Sequence, residues 1–131
     1  MSHIATHDPQ IGICDPNLME QALRMTAEDF SGEFIEKGFV SEYADRDHQQ
    51  CDWVIRTPEL KRGFGCTINK DGRPVFVGDP YGVGHLWQEM EQRVTQHYSV
   101  LALRASAAEL GWPVDMFVKP DGTVSMDLVV E

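Results

Sequence analysis

The chain has 131 residues, of which 42% are hydrophobic and 24% are charged, the balance of one ordinary globular domain spanning 1–131. A total of 11 basic and 21 acidic side chains gives a net charge of −10, which disfavours binding to phosphate backbones and to anionic membrane surfaces. No apolar run approaches the roughly 18 residues that a membrane-spanning helix needs.

The start of the chain lacks the basic and apolar regions of a secretory signal peptide, so no export is expected. The three cysteines, Cys14, Cys51 and Cys66, are an odd number without C-x-x-C spacing. Free thiols in a reducing compartment fit this pattern, and a cytoplasmic location is therefore predicted.

The first predicted elements are a short strand and a helix. Residues 2–6 are predicted to form the strand, with an extension to Ile13 as an alternative. Asp15 and Pro16 mark the start of the helix, because aspartate caps free N–H groups and proline suits the first turn. The helix is predicted to end at about residue 30. Its helical spacing is carried by Leu18, Met19, Ala22, Leu23, Phe30 and Phe34.

Short strands are predicted to follow. Residues 39–43 (FVSEY) alternate in polarity, which indicates a strand with one buried face. The polar run 44–52 is predicted to be an exposed loop or one arm of a hairpin. A strand over 53–57 (WVIRT) is predicted to stop at Pro58.

The clearest pattern is a hairpin followed by a long helix. Strands are predicted over 63–69 and 74–79, with Asp71-Gly72 as the turn between them, because glycine adopts positive φ at low cost. A long amphipathic helix follows and is predicted to stop at Gly111. Its apolar stripe consists of Leu86, Trp87, Met90, Val94, Tyr98, Leu101, Ala105 and Ala108.

The last segment, 113–131, is predicted to be another hairpin that turns at Pro120-Asp121-Gly122. The resulting order is β-α-β-β-β-β-α-β-β. It indicates an α+β fold with an antiparallel sheet and two helices on one face of that sheet. A ferredoxin-like fold with extra strands is one arrangement compatible with this order.

Catalytic motifs are scarce. The sequence has no Walker A loop, no G-x-G-x-x-G, no G-x-S-x-G and no H-E-x-x-H. Asp79 and His85 are weak candidates for an acid–base couple at the start of the long helix. Turn formation explains Asp79 equally well, and Cys66 on its strand is typical of a small core residue. An enzyme is therefore the less favoured interpretation.

Histidines and cysteines form two incomplete sets of metal ligands. His3, His7 and Cys14 lie near one end of the chain, and His48 and Cys51 have the spacing H-x-x-C. Zinc requires three or four converging nitrogen or sulfur ligands. Because nothing in the spacing requires the two sets to meet, a metal site is the less favoured alternative and no cofactor is expected.

The tryptophans differ in their predicted surroundings. Trp87 belongs to the apolar stripe of the long helix and Trp112 follows Gly111, so both are predicted to be core residues. Trp53 follows the polar run 44–52, and an exposed tryptophan there would be a natural interaction anchor.

Several short motifs occur along the chain in a definite order. They are Met1-Ser2-His3, Gly63-Phe64, Asp71-Gly72, the apolar strand Val75-Phe76-Val77-Gly78-Asp79, Gln96-His97-Tyr98, Gly111-Trp112 and Asp121-Gly122. In order and spacing they resemble an uncharacterised family of cyanobacteria, red-algal plastids and other bacteria. It is called hypothetical chloroplast reading frame thirty-five, or domain of unknown function twelve fifty-seven. Lys61-Arg62 stands where that family has Asp-Ile before Gly-Phe.

The resemblance implies a role but no chemistry. The family has no established activity or catalytic residues, so no active site is carried over. Its members are similar to proteins encoded beside AAA+ ATPases, which implies an accessory or adaptor role.

The leading interpretation is a small cytoplasmic protein-binding module with an acidic surface. The second sheet face and the segment 44–62, with Trp53, would contact a protein partner such as an AAA+ ATPase. One alternative is an enzyme or metal-binding domain that uses Asp79, His85 and nearby Cys or His residues. Another is an acidic inhibitor that imitates nucleic acid. Direct nucleic-acid binding is not expected, and an uncovered sheet face would favour a homodimer.

Overall fold

The structure, a computed structural model, describes residues 4–43 and 47–111 together with the backbone of strands 114–118 and 124–128. The described part of the chain is an α+β fold, as predicted. Its elements in chain order are β1 (Ala5–His7), α1 (Pro16–Asp29), β2 (Glu33–Glu36), β3 (Phe39–Ser41), β4 (His48–Gln50), β5 (Trp53–Arg56), β6 (Phe64–Ile68), β7 (Pro74–Gly78), α2 (Gly84–Glu109), β8 (Val114–Val118) and β9 (Val124–Leu128).

The main sheet has five strands in the order β1-β7-β6-β5-β2, and every neighbouring pair is antiparallel. Two smaller sheets are the pairs β3–β4 and β8–β9. Because directions alternate across the main sheet, β1 and β2 run the same way at opposite edges, and α1 connects them. Three strands separate β1 from β2. In a ferredoxin-like split β-α-β unit, a single strand lies between the two parallel strands that the helix connects. The strand order of this sheet is therefore not the ferredoxin-like one.

One face of the main sheet packs against both helices, as predicted. Side chains alternate along each strand, so Ile55, Phe64 and Phe76 point to the same face, where they are fully buried. Met19 of α1 and Met90 of α2 belong to the same apolar cluster. The helices therefore cover this face.

The opposite face is also covered in part. Val54 and Val77 point to that side, and they pack with Val40 of β3 and with Cys51. All four are buried. The β3–β4 hairpin thus lies over a sheet face that was expected to be available for contact. The hairpin covers this face because the apolar side chains of the face are buried against it.

Helix α1 begins and ends close to the predicted residues. The Asp15 side chain accepts N–H groups from Asn17 at 2.8 Å and Leu18 at 3.4 Å, and Pro16 occupies the first turn. Beyond the helix, Ser31 has φ 52°, a left-handed conformation that turns the chain. The next residues form β2, which was not predicted.

The predicted β6–β7 hairpin is confirmed. Its turn is closed by hydrogen bonds from the N–H of Asn69 to the carbonyl of Arg73 at 2.8 Å and from the N–H of Gly72 to the carbonyl of Asn69 at 3.0 Å. Gly72 has φ 80°, which explains the glycine. At the other end of β7, a Cβ on Gly78 would lie 2.5 Å from Cη2 of Trp87. The glycine therefore lets the helix ring rest on the strand.

Helix α2 confirms the predicted stripe over its first four turns, where Trp87, Met90, Val94 and Tyr98 are buried. Farther along, Ala107 is buried instead of the predicted alanines, Ala105 and Ala108, which are exposed. Neither helix of the described chain has the length and apolarity to cross a membrane.

At the two ends of the chain, the observed elements agree in part with the predicted ones. Strand β1 occupies Ala5–His7 and does not extend to Ile13. Strands β8 and β9 form the predicted C-terminal hairpin. The predicted turn at Pro120-Asp121-Gly122, the core position of Trp112 and residues 1–3 lie outside the described residues.

Candidate functional site

Asp79 lies at the end of β7 and is buried, with 1% of its surface exposed. Its Oδ2 accepts the backbone N–H of Tyr43 at 2.7 Å, and its Oδ1 accepts the backbone N–H of Tyr81 at 3.0 Å. Tyr43 lies two residues after the end of β3, and Tyr81 lies in the loop before α2. One carboxylate therefore fixes its own loop to the segment of Tyr43, which lies 36 positions earlier in the sequence.

Arg62 compensates the charge of Asp79. Its Nη1 lies 3.5 Å from Oδ2 of Asp79, and the arginine side chain is only 16% exposed. Nη2 donates a hydrogen bond to the carbonyl oxygen of Tyr81. A carboxylate that is removed from water loses its hydration, and Arg62 supplies a positive charge that offsets this loss for Asp79.

The two tyrosines whose backbone N–H groups bond to Asp79 also have their rings in contact. Their centroids are 4.9 Å apart and the rings are inclined by 58°. Cζ of Arg62 is 5.3 Å from the centroid of Tyr43, a distance typical of a cation–π contact. Tyr43 is nevertheless 65% exposed and Tyr81 51% exposed. We call these two residues the tyrosine pair.

A further exposed aromatic residue belongs to the same hairpin as Tyr43. Phe39 of β3 is exposed, whereas Val40 beside it points to the sheet and is buried. The carbonyl oxygen of Phe39 accepts a hydrogen bond from Nη2 of Arg56. The hairpin is therefore held to the main sheet through its backbone as well as through its apolar face.

The structure does not bring the predicted acid–base couple together. His85 is exposed near the start of α2. The carboxylate oxygens of Asp79 are occupied by Tyr43, Tyr81 and Arg62. Among the described residues, no contact joins His85 to Asp79.

Trp53 has contacts within the fold. It is partly buried on β5, on the face that carries Ile55 and packs against the helices. Its Nε1 donates to Oε1 of Glu20 in α1 at 3.3 Å. The ring thus joins the sheet to α1, whereas the exposed tyrosines lie at another place on the molecule.

The predicted metal ligands are distributed over separate environments. His3 lies outside the described residues. Cys14 is buried in the core under the helices, and Cys51 is buried on the opposite side of the sheet. His48 is exposed on β4. Within residues 4–43 and 47–111, no three His, Cys, Asp or Glu side chains gather as metal ligands would.

His7 belongs to a different contact. Its ring lies 5.6 Å from that of Trp87, centroid to centroid, and its Nδ1 is 3.8 Å from Oε1 of Glu91. The same Glu91 oxygen accepts the indole N–H of Trp87 at 2.7 Å. The histidine therefore packs at the junction of β1 and α2.

The thiols are not in surroundings that favour nucleophiles. Burial raises the pKa of Cys66 well above that of a free thiol. Burial, with a contribution from Asp52, raises the pKa of Cys51 to about 11, and burial raises that of Cys14 as well. Because the thiolate is the reactive form, all three side chains are inert core residues near neutral pH.

One shallow, open depression of about 390 Å³ lies at the end of β5. It contains neither Asp79 nor His85. Its lining residues are Ser31, Gly32, Glu33, Arg56, Thr57, Pro58 and Lys61. The depression therefore does not supply the concave site that the enzyme interpretation requires.

Sequence patterns selected Asp79 but missed the residues around it. Tyr43 appeared only as the end of an alternating run, Tyr81 as part of a loop and Arg62 as a departure from the family pattern. The available signal was the set of aromatic residues in loops, because exposed loop aromatics often mark contacts. Their proximity depends on pairing across the sheet, which local patterns do not encode.

Comparisons with known proteins found no relative of this chain. No family model matches the chain, no curated protein matches it, and no solved structure matches it. The resemblance described above stays a prediction.

Proposed function

We propose that the protein is a small, acidic protein-binding module that acts as an adaptor and docks its partner on the tyrosine pair. The observation that carries the proposal is the geometry at Asp79. Two largely exposed aromatic rings are held in contact by a single buried carboxylate. Exposed aromatic groups with a rigid backbone beneath them are what protein interfaces use as anchors.

Rigidity is the physical basis of this proposal. Tyrosine has few rotatable bonds, so a ring buried by a partner offers a large contact area at a low cost in conformational entropy. Here the backbones of both tyrosines are already fixed before a partner arrives. Because the loop is already ordered, the free energy of binding is not reduced by the entropy cost of ordering it.

Charge indicates the kind of partner. The chain carries −10, so a basic protein surface would be attracted and association would weaken as salt screens the charges. The family resemblance adds an AAA+ ATPase as a candidate partner, and the odd number of cysteines favours the cytoplasm as the place of contact. Both belong to the proposal.

A pull-down from the native host tests the proposal. The bait is compared with the variant Tyr43→Ala/Tyr81→Ala and with the control Met25→Ala/Leu110→Ala, which removes two other exposed apolar side chains. We expect the wild-type chain and the control to retain the same protein, and the tyrosine variant to lose it by about tenfold or more. Raising the salt concentration should weaken the retained complex.

The outcomes differ clearly. A partner held equally by all three baits would place the contact elsewhere and contradict the docking surface. An ATPase held only by the wild type and the control would support the adaptor role. Circular dichroism of each bait shows whether the fold is intact, so that loss of binding is not confused with unfolding.

A further inference from the structure

We infer that the tyrosine pair binds an arginine side chain from a basic segment of the partner, with the guanidinium stacked on an exposed ring. This inference rests on the proposed function and specifies the group that the surface recognises. The chemistry needed is an electron-rich ring face that is open to solvent, with any positive charge beside it compensated by an acidic group. The structure provides both, as follows.

The site already holds one arginine in this manner. Cζ of Arg62, whose side chain is only 16% exposed, lies 5.3 Å from the centroid of Tyr43. Because Tyr43 remains 65% exposed, its ring also has a solvent-facing surface. Tyr81 contributes a second exposed ring, inclined by 58° to the first. An incoming planar cation can therefore contact a ring without displacing Arg62.

The charge of Arg62 does not repel a second cation strongly. Asp79 lies 3.5 Å away and compensates it. Asp47, which is exposed, lies on the same hairpin as Tyr43, and its carbonyl oxygen accepts the N–H of Glu42 at 3.2 Å. The whole chain carries −10. A cationic group therefore gains long-range attraction, whereas a phosphate-bearing strand, whose bases could also stack on tyrosine, is repelled.

Arginine fits better than lysine for a geometric reason. The guanidinium is planar and weakly hydrated, so it stacks on an aromatic face while its N–H groups still bond in the plane. A lysine ammonium is compact and strongly hydrated, and it loses more hydration at a ring. A preference for arginine over lysine at equal charge is thus the signature of stacking. Attraction to the net charge alone produces no such preference.

The experiment uses two synthetic peptides of equal length and charge, one alternating arginine with glycine and the other lysine with glycine. Fluorescence anisotropy measures the binding of each peptide to the full chain at moderate salt. We expect the arginine peptide to bind about fivefold more tightly than the lysine peptide. In Tyr43→Ala/Tyr81→Ala this ratio should fall to about one.

Two matched variants separate ring stacking from other effects. Tyr43→Phe/Tyr81→Phe keeps both ring faces and removes the hydroxyls, so it should retain most of the preference. Met25→Ala/Leu110→Ala removes exposed apolar groups elsewhere and should retain all of it. A labelled oligothymidylate strand is titrated in parallel and is expected not to bind.

Equal affinities of the two peptides, or a preference that survives in the alanine variant, would overturn the inference. Tyrosine-dependent binding of oligothymidylate would overturn it in favour of a single-stranded nucleic acid. None of these outcomes alters the pull-down result. A host protein lost only from the tyrosine variant, combined with no arginine preference, would leave the docking surface and reject its ligand chemistry.

Discussion

The Asp79 carboxylate concentrates three interactions on one side chain. It accepts backbone N–H groups from Tyr43 and Tyr81, and Arg62 lies beside it. The Asp79 and Arg62 side chains are both largely removed from water, so each compensates the charge of the other. Asp79 is therefore a structural residue, and its replacement would remove several stabilising interactions of the fold at once.

Replacing Asp79 with alanine should lower the free energy of unfolding by about 3 kcal/mol, since it removes the counter-charge of the largely buried Arg62 and the acceptor of two N–H groups. Asp79→Asn keeps an acceptor oxygen and should lose less. The matched control is Asp47→Ala, because Asp47 is exposed. Urea denaturation of the three variants measures the losses. Equal stability of Asp79→Ala and Asp47→Ala would show that the buried carboxylate contributes nothing.

Among the helices, α1 and α2 are joined by a polar contact near the end of α1. Oδ2 of Asp29 lies 2.6 Å from Nε2 of His97 and 3.0 Å from Nη1 of Arg93. Partial burial alone would raise the pKa of Asp29, but the hydrogen bonds and positive charges of His97 and Arg93 outweigh it. The pKa of Asp29 is therefore lower in the folded chain than in an unfolded one.

The contact should make stability depend on acid. Because folding lowers the pKa of Asp29, its ionised form stabilises the fold above the unfolded value of about 4, and this stabilisation is lost as pH falls through the lower folded value. Asp29→Asn should cost about 1 kcal/mol at about pH 7, and less at about pH 3. Urea denaturation at both pH values tests this. Glu28→Gln on the same exposed turn is the control, and a loss independent of pH would exclude the ion pair as its cause.

The helices, strands and turns show which parts of the fold can be predicted from local sequence patterns. The cap at Asp15, the turn at Gly72 and the stripe of α2 each depend on residues close in sequence, and all three were predicted. Strand β2 (EFIE) was not predicted, because it is short and carries little apolar alternation, and β4 (HQQ) lies in the run 44–52, for which a hairpin arm was one of two alternatives. Their extended form comes from pairing with β5 and β3. Tertiary context of this kind overrides intrinsic propensity.

In the molecule as a whole, cysteines lie on both sides of the main sheet. Cys14 and Cys66 belong to the core under the helices, and Cys51 to the core under the β3–β4 hairpin. All three are free and buried. Reaction with a bulky thiol reagent therefore requires the corresponding part of the fold to open.

We expect a disulfide reagent at about pH 8 to label the folded chain at least about a hundredfold more slowly than the chain in urea, because burial and raised pKa values both suppress the thiolate. Cys14 is the least buried of the three and should react first. The variant Cys14→Ser identifies that phase. One thiol that reacts as rapidly in the folded chain as in urea would contradict the arrangement of the two cores.

The path of α1 across the sheet also determines when the fold can be completed. Both edge strands come from the first 36 residues, whereas the strands between them come from residues 53–78. Strand β2 must wait for β5, and β1 must wait for β7. On the ribosome, the two edge strands of the main sheet therefore emerge before the three central strands with which they pair. The sheet closes only after residue 78 has left the exit tunnel.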